Sequence, residues 1–372
     1  ALGPARSQLL GETAAALPER YYANGSSWSF GAGALQAAEA DALDVVSRRR
    51  AELPHNASAS VLELDDGILG LELHGKLNVI GLDTIDMIQR AVELASERYD
   101  GLVIGTQSPD FSAGANLALM LLEAEEGEWG ELDRAARRFQ GATNAIRHAT
   151  VPVVVAPRGR TLGGGAELVL ASARAQALRE TYLGLVEAGV GLIPAGGGST
   201  AMARRAGEQL PNGVDADLFP FFQAAFTTIA FARVATSAAE ARELGLLSDC
   251  DSVTANPDRQ WADAASTTRQ LAEQGYAPPG DTLIRVLGRR GIAAAEALSY
   301  NQLAGRQISE HDRKIVMELA RVMSGGDVAE GTLVGEQYLL DLEREAFLRL
   351  LGEKLTRDRI RHTLKTGKPL RN

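Results

Sequence analysis

The chain has 372 residues, with 38 basic and 48 acidic side chains and a formal net charge of −10 at pH 7. That acidic balance, with aromatic residues at only 5%, excludes a general nucleic-acid binder, because phosphate neutralisation and base stacking supply most of such affinity. Hydrophobic residues at 45% exclude global disorder, and the length predicts two or three structural units with a substantial core.

The lone Cys250 forms no internal disulfide, so nothing asks for an oxidising compartment. No run approaches the ~18 apolar residues of a membrane helix, and residues 1 to 17 lack the basic-then-apolar order of a signal peptide. The expected setting is cytoplasmic. The chain opens on Ala1 rather than Met, which predicts a piece of a longer protein.

Residues 1–58 read as a lead-in. A turn-rich stretch from Asn24 to Gly33 precedes a short helical run from Leu35 to Arg50, which the Pro54, His55, Asn56 segment breaks. From Val61 the pattern changes. Strands are predicted at Val61 to Leu64, Ile68 to Leu73, Gly101 to Thr106 and Val151 to Pro157. Apolar residues at helical spacing lie between them, at Ile85, Ile88, Ala91, Val92 and Ala95, and again at Ala135, Phe139, Ala142 and Ile146. Alternating strands and helices imply an α/β layered core over residues 59–250. A segment of about 207–232 carries Phe219, Phe221, Phe222 and Phe226, either as a lid over an acyl chain or as ordinary helix packing. Ser237 with Glu240 matches a capping box, Ser309 opens a helix running to Ser324, and Leu333 to Leu351 is a long periodic run. Residues 251–372 therefore read as an α-helical C-terminal region.

Three stretches carry chemistry. Phe111 to Asn116 follows a strand with small residues, Ala113, Gly114 and Ala115, whose amides can face a ligand. Gly163, Gly164 and Gly165 open a helix, exposing N-terminal amides beside Glu167, one turn on. Because its neighbours Ala166, Leu168, Val169 and Leu170 are apolar, Glu167 is expected to be buried, which is costly for a carboxylate without a purpose. Glu187 is the single acid in a third, glycine-rich apolar stretch, Gly184 to Pro194, and desolvation should raise its pKa. Two carboxylates in semi-apolar surroundings suit general acid and general base chemistry at neutral pH.

Phe111 to Asn116, Gly163 to Glu167 and Glu187 to Pro194 together resemble the crotonase (enoyl-CoA hydratase/isomerase) family over roughly Val61 to Leu247. More narrowly, Thr161 to Glu167, Thr181 to Pro194, Glu336 to Phe347 and Thr366 to Asn372 resemble the hydratase portion of a bacterial β-oxidation multifunctional protein, in which a 3-hydroxyacyl-CoA dehydrogenase precedes the hydratase. The resemblance implies a ββα spiral core and a CoA-thioester substrate. It assigns the Ala113 and Gly164 amides to an oxyanion hole, Glu167 to the activation of water and Glu187 to protonation at C2. Gly114, Ala115, Asn116 and Lys76 complete the substrate-binding set. Two departures stand out: Ala195 replaces the glycine usual after Ile193-Pro194, and Asn116 replaces the usual aspartate.

On this reading residues 1–58 are the tail of the dehydrogenase half, a portion of the same or a partner chain. The dinucleotide-binding domain is absent, because Gly31 to Gln36 lacks the third glycine and a preceding strand. No cofactor is expected, NAD being needed only by that dehydrogenase. Five dispersed histidines without H-E-x-x-H predict no metal site. A homo-oligomer, or a monomer whose own helical extension covers the site, both fit the residues. The rival functions are an enoyl-CoA isomerase, which can use one glutamate, and a non-catalytic acyl-CoA-binding or docking half.

The charge is uneven: residues 354–372 carry a net +6, and Lys354, Arg357, Arg361 and Lys365 share one helical face. That face either holds CoA phosphates, holds the acidic body of the protein, or is solvated.

Overall fold

The computed structural model describes the backbone of three short strands before residue 40 and, from residue 52 onward, every residue except 65–66, 211–215 and 282. By its contacts the chain divides into Ala1–Leu43 and Asp44–Asn372. In the first unit β1 (Tyr22–Ala23), β2 (Ser26–Ser29) and β3 (Ala34–Ala37) form an antiparallel sheet in that order. The helical run expected from Leu35 begins instead on a strand. Four residues hold too few periods to separate helix from strand, and pairing with Ser26–Ser29 decides it. The rest of that run, residues 38–50, lies outside the described residues.

The second unit is an α/β core. Its main sheet begins with a hairpin of β4 (Ala59–Glu63) and β5 (Ile68–Leu73), after which come helix α1 (Leu82–Arg98) and β6 (Gly101–Gly105). Helices α2 (Leu117–Glu126) and α3 (Trp129–Arg147) then lead to β7 (Val153–Val155). β5 is buried along its whole length, as a strand covered on both faces must be, and this accounts for its nearly unbroken apolar run. β8 (Gly159–Leu162), α4 (Gly164–Ala171), β9 (Arg174–Leu178) and β10 (Thr181–Gly184) follow, then a 3-10 turn at Glu187–Val190 and α5 (Gly198–Glu208).

Next come α6 (Phe219–Ala230), β11 (Val234–Ala235), α7 (Ala238–Glu243), β12 (Ser252–Thr254) and α8 (Gln260–Glu273). The six-stranded order is β12-β9-β7-β6-β5-β4, parallel except for the β4 and β5 pair, and a smaller sheet has the order β11-β10-β8. The layered core thus runs past the expected limit at residue 250. β12 adds a sheet edge there because Asp251 accepts from the Ala175 amide at 2.8 Å. α8 lies directly on β6, where a Cβ at Gly105 would stand 2.8 Å from the Trp261 ring.

Beyond it the chain is helical, as expected. A short β13 (Ile284–Arg285) and β14 (Leu333–Val334) pair, and α9 (Arg289–Ala304), α10 (Glu310–Met323), α11 (Glu336–Leu351) and α12 (Lys354–Thr366) make up the rest. Ser309 and Asp312 form the reciprocal capping box that starts α10. At α7 only half of the expected box forms: Ser237 caps the Glu240 amide, while the Glu240 carboxylate reaches Thr236 instead. In the aromatic segment, Phe222 and Phe226 are buried with ring centroids 5.6 Å apart, so α6 packs into the core. Among the described residues no helix is long and apolar enough to cross a membrane.

Candidate active site

Parallel pairing of β8 and β10 brings two of the sequence motifs together. Leu162 registers with Gly184, and the Gly163 amide donates to Gly184 O at 2.9 Å. α4 starts at Gly164 and the Glu187 turn starts two residues after Leu185, so both emerge at the same strand ends, where α/β sheets commonly bind ligands. Gly163 has φ 52°, and a Cβ there would come 2.9 Å from Glu187 Oε1. Only glycine tolerates both the backbone angle and that approach.

The third motif joins through Ser112, whose amide donates to Arg160 O and whose carbonyl accepts from Leu162 N, both at 3.0 Å. A Cβ on Gly114, at φ 96°, would stand 3.1 Å from Leu162 O and 3.7 Å from the Gly164 nitrogen. The loop backbone therefore abuts the helix start. Asn78 braces it: Nδ2 donates to Thr106 Oγ1 and Asp110 O, and Asn78 O accepts from Ser112 Oγ.

These elements surround an apolar cavity of about 150 Å³, walled by residues including Ile80, Leu132, Phe139, Ile193 and Phe347. Glu167, Glu187, Gly164 and the loop from Ala113 to Asn116 reach it. Phe347 belongs to α11, so the chain's own helical extension closes one side.

Two site assignments change. The Ala113 amide donates to Leu77 O at 3.0 Å and is not free for a substrate oxygen. The cause is the turn at Leu77 and Asn78, with φ of 55° and 46°, which folds the Leu77 carbonyl onto the loop. Among the described residues the amides of Ala115 and Gly164 donate to no protein group, so Ala115 replaces Ala113 as the candidate donor. Lys76 is exposed on the same turn and is not part of the cavity wall. Asn116 lines the cavity and caps α2, accepting from the Leu119 amide at 3.1 Å.

Glu167 is 3% exposed in the first turn of α4, every residue of which is buried. Its Oε1 accepts from the Gly196 and Gly198 amides, each at 2.8 Å. Burial raises its pKa to about 7 against the pull of those two amides. Glu187 is partly exposed as a residue, yet its Oε2 is sealed and has no protein partner. Burial, then the charge of Glu167, pushes Glu187 well above the ordinary carboxylate range.

A third acid, missed by the sequence reading, completes the group. Glu343 of α11 is fully buried. Its Oε1 accepts from the Gly197 amide at 2.6 Å, and its Oε2 accepts from Thr200 N at 2.8 Å and Thr200 Oγ1 at 3.1 Å. Burial, then the charge of Glu167, raises it to about 8. The signal was available: Leu339, Glu343, Ala346 and Leu350 share the helical spacing of one face, and a lone acid stands among its apolar residues.

The basic stripe lies outside the cavity wall. Arg361 pairs with Glu125 of α2 and with Asp358, Arg357 donates to Leu351 O and Gly352 O, and Lys354 lies 3.5 Å from Asp358. The Glu125, Leu351 and Gly352 contacts tie α12 to α2 and to the end of α11, while both Asp358 pairs lie within α12.

Raised carboxyl pKa values make a stability prediction. A carboxyl lifted in the fold above its ordinary 4.5 binds more protons folded than unfolded, so stability falls as pH rises toward the folded value. His311, lowered by burial from 6.5, has the opposite slope, but only below that pH. Between pH 6.5 and 8 the melting temperature is therefore expected to fall, and Glu343→Gln should flatten the slope. Thermal melts across this window check it. A flat wild-type profile would reject the buried-charge account.

The fold and the paired amides and acids define the class. Residues 63–216 match the family model described as enoyl-CoA hydratase/isomerase, so this portion of the chain is of crotonase type. A Bacillus subtilis protein named probable 3-hydroxyacyl-CoA dehydrogenase is 43% identical over 332 residues, 89% of this chain and 41% of that one. A Rickettsia felis protein, provisionally named a fatty acid oxidation complex trifunctional enzyme, is 36% identical over 127 residues, 34% of this chain and 18% of that one. The chain thus spans about two fifths or less of these relatives. The crystal structure of enoyl-CoA hydratase from Bacillus halodurans superposes with a TM-score of 0.56 at 17% identity, covering 82% of this chain and 99% of that one, and shows the shared fold.

Proposed function

We propose that the cavity hydrates trans-2-enoyl-CoA thioesters to 3-hydroxyacyl-CoA. The observation that carries this reading is the pair of acids, Glu167 and Glu187, set in an apolar cavity beside the free amides of Ala115 and Gly164. The thioester carbonyl oxygen would accept from those amides, which stabilise enolate charge as it develops. Water oxygen bonds to C3 while Glu167 takes its proton, and Glu187 gives its own proton to C2. Return of the proton from Glu167 to Glu187 closes the cycle with one water added.

The pKa directions fit these roles. Burial and the charge of Glu167 push Glu187 toward its protonated form, while Glu167 at about 7 is ionised in much of the population. Hydration needs no cofactor from this chain. The isomerase reading needs only one acid, which leaves the second buried carboxyl without a use.

Measuring water addition to crotonyl-CoA beside isomerisation of a 3-enoyl-CoA separates the two. Hydration is expected to dominate, and isomerisation alone would overturn the reading. Binding without either turnover would favour a docking role. We further read the chain as the hydratase portion of a larger β-oxidation protein that includes a dehydrogenase. The name and greater length of the Bacillus subtilis relative support this.

A further inference from the structure

Glu167 and Glu343 come from helices far apart in sequence, yet they share one cradle. Three consecutive amides at the N-terminus of α5 alternate between them: Gly196 and Gly198 donate to Glu167, and Gly197 donates to Glu343. Thr200 adds its amide and hydroxyl to Glu343. We infer that Glu343 is a positioning residue for Glu167, gripping the amide of the Gly196–Gly198 turn that Glu167 leaves free and sharing the charge of that buried cradle. The inference deepens the hydratase reading and rests on it for its kinetic part only.

The donor set calls for a carboxyl at 343. Three donors converge on its two oxygens, so an amide side chain would turn an NH₂ group toward an N–H or a hydroxyl. The helix N-terminus favours one negative charge nearby, and a second so close is opposed by the first. Among the described residues no basic group offsets it. Arg147 of α3 and Arg204 of α5 are directed to Glu336, Arg344 is held by Asp133, and Glu318 of α10 is held by Arg349. From α12, Arg359 is held by Asp312. The charged groups facing Glu343 are Glu167 and, beyond it, Glu187. The acids therefore titrate as a set: Glu167, the lower of the two, ionises first, and its charge helps to keep Glu343 protonated to about 8.

A residue that only ties α11 to α5 would leave kcat and KM unmoved in a folded variant. Glu343→Gln is expected to lower kcat for crotonyl-CoA about tenfold, with KM within about twofold, because Glu167 is displaced rather than the substrate. The acid limb of kcat/KM should stay near its wild-type position, since Glu343 is already protonated where Glu167 ionises. Glu343→Asp, which keeps a carboxyl for the Gly197 and Thr200 donors, should recover part of the lost kcat. Carboxyl titrations of ¹³C-glutamate-labelled full chain, assigned with Glu167→Gln and Glu343→Gln, test the coupling without turnover. Glu167→Gln should move the Glu343 titration to lower pH, because the charge that helps raise it is gone.

If the wild type hydrates nothing while the titrations are coupled, the hydratase reading falls and the inference stands. If Glu343→Gln fails to fold, the Glu167→Gln titration decides. A Glu343 titration unmoved by Glu167→Gln, or a kcat unchanged in folded Glu343→Gln, would overturn it.

Discussion

Replacing Glu187 by Gln is expected to lower kcat for crotonyl-CoA hydration by ~10²–10⁴-fold, the range for losing a positioned general acid. A carboxamide can occupy the site but has no proton to give to C2. The fold should survive, because a neutral group suits the sealed position of Oε2 better than an ionised one. Glu167→Gln is expected to cost a similar factor. Its amide oxygen can still accept from Gly196 and Gly198, so the loss would lie in base strength and not in architecture. Steady-state kinetics beside melting curves check both. Normally folded variants that each keep wild-type hydration would remove Glu167 and Glu187 from the mechanism.

The second large effect concerns the backbone. Lactic acid at position 115, in place of Ala115, exchanges one amide N–H for an ester oxygen and leaves the methyl side chain unchanged. Removing one oxyanion donor in this way should reduce kcat by ~10²–10³-fold, about 3 to 4 kcal/mol. Glycolic acid in place of Gly164 should do the same. Lactic acid at 113 is the control, because that amide donates to Leu77 O. It should cost ~1 kcal/mol of stability, as for one backbone hydrogen bond, with little change in kcat. A full loss at 113 with none at 115 would restore the assignment drawn from the motif alone.

Much of the site was legible because its chemistry is concentrated in short apolar or glycine-rich runs. Glu167 stood out as an acid among Ala166, Leu168 and Val169, and the whole of α4 is buried. Gly163 to Gly165 signalled an open helix start, and parallel pairing of β8 with β10 brings Glu187 to it. Glu343 escaped attention inside the charged stretch Asp341 to Glu345. A helix turns its apolar face to the core at every third or fourth residue, and only that spacing separates Glu343 from its exposed neighbour Glu345.

The amide assignment failed for a different reason. Ala113 and Ala115 are equivalent in composition, and two residues of backbone rotation decide which N–H points into the cavity. The positive φ of Leu77 sets that choice from outside the motif.

The sequence by itself determined four of the six strands of the main sheet, the burial of the first acid and the likeness to the crotonase family, because periodicity and small-residue runs are local. Tertiary structure alone decided which amides stay free and which segment forms the strand beyond residue 250. It also decided that a C-terminal helix supplies a carboxylate to the turn holding Glu167. Each of these depends on a hydrogen-bond partner distant in sequence, and a pattern read along the chain carries no record of where that partner comes to lie.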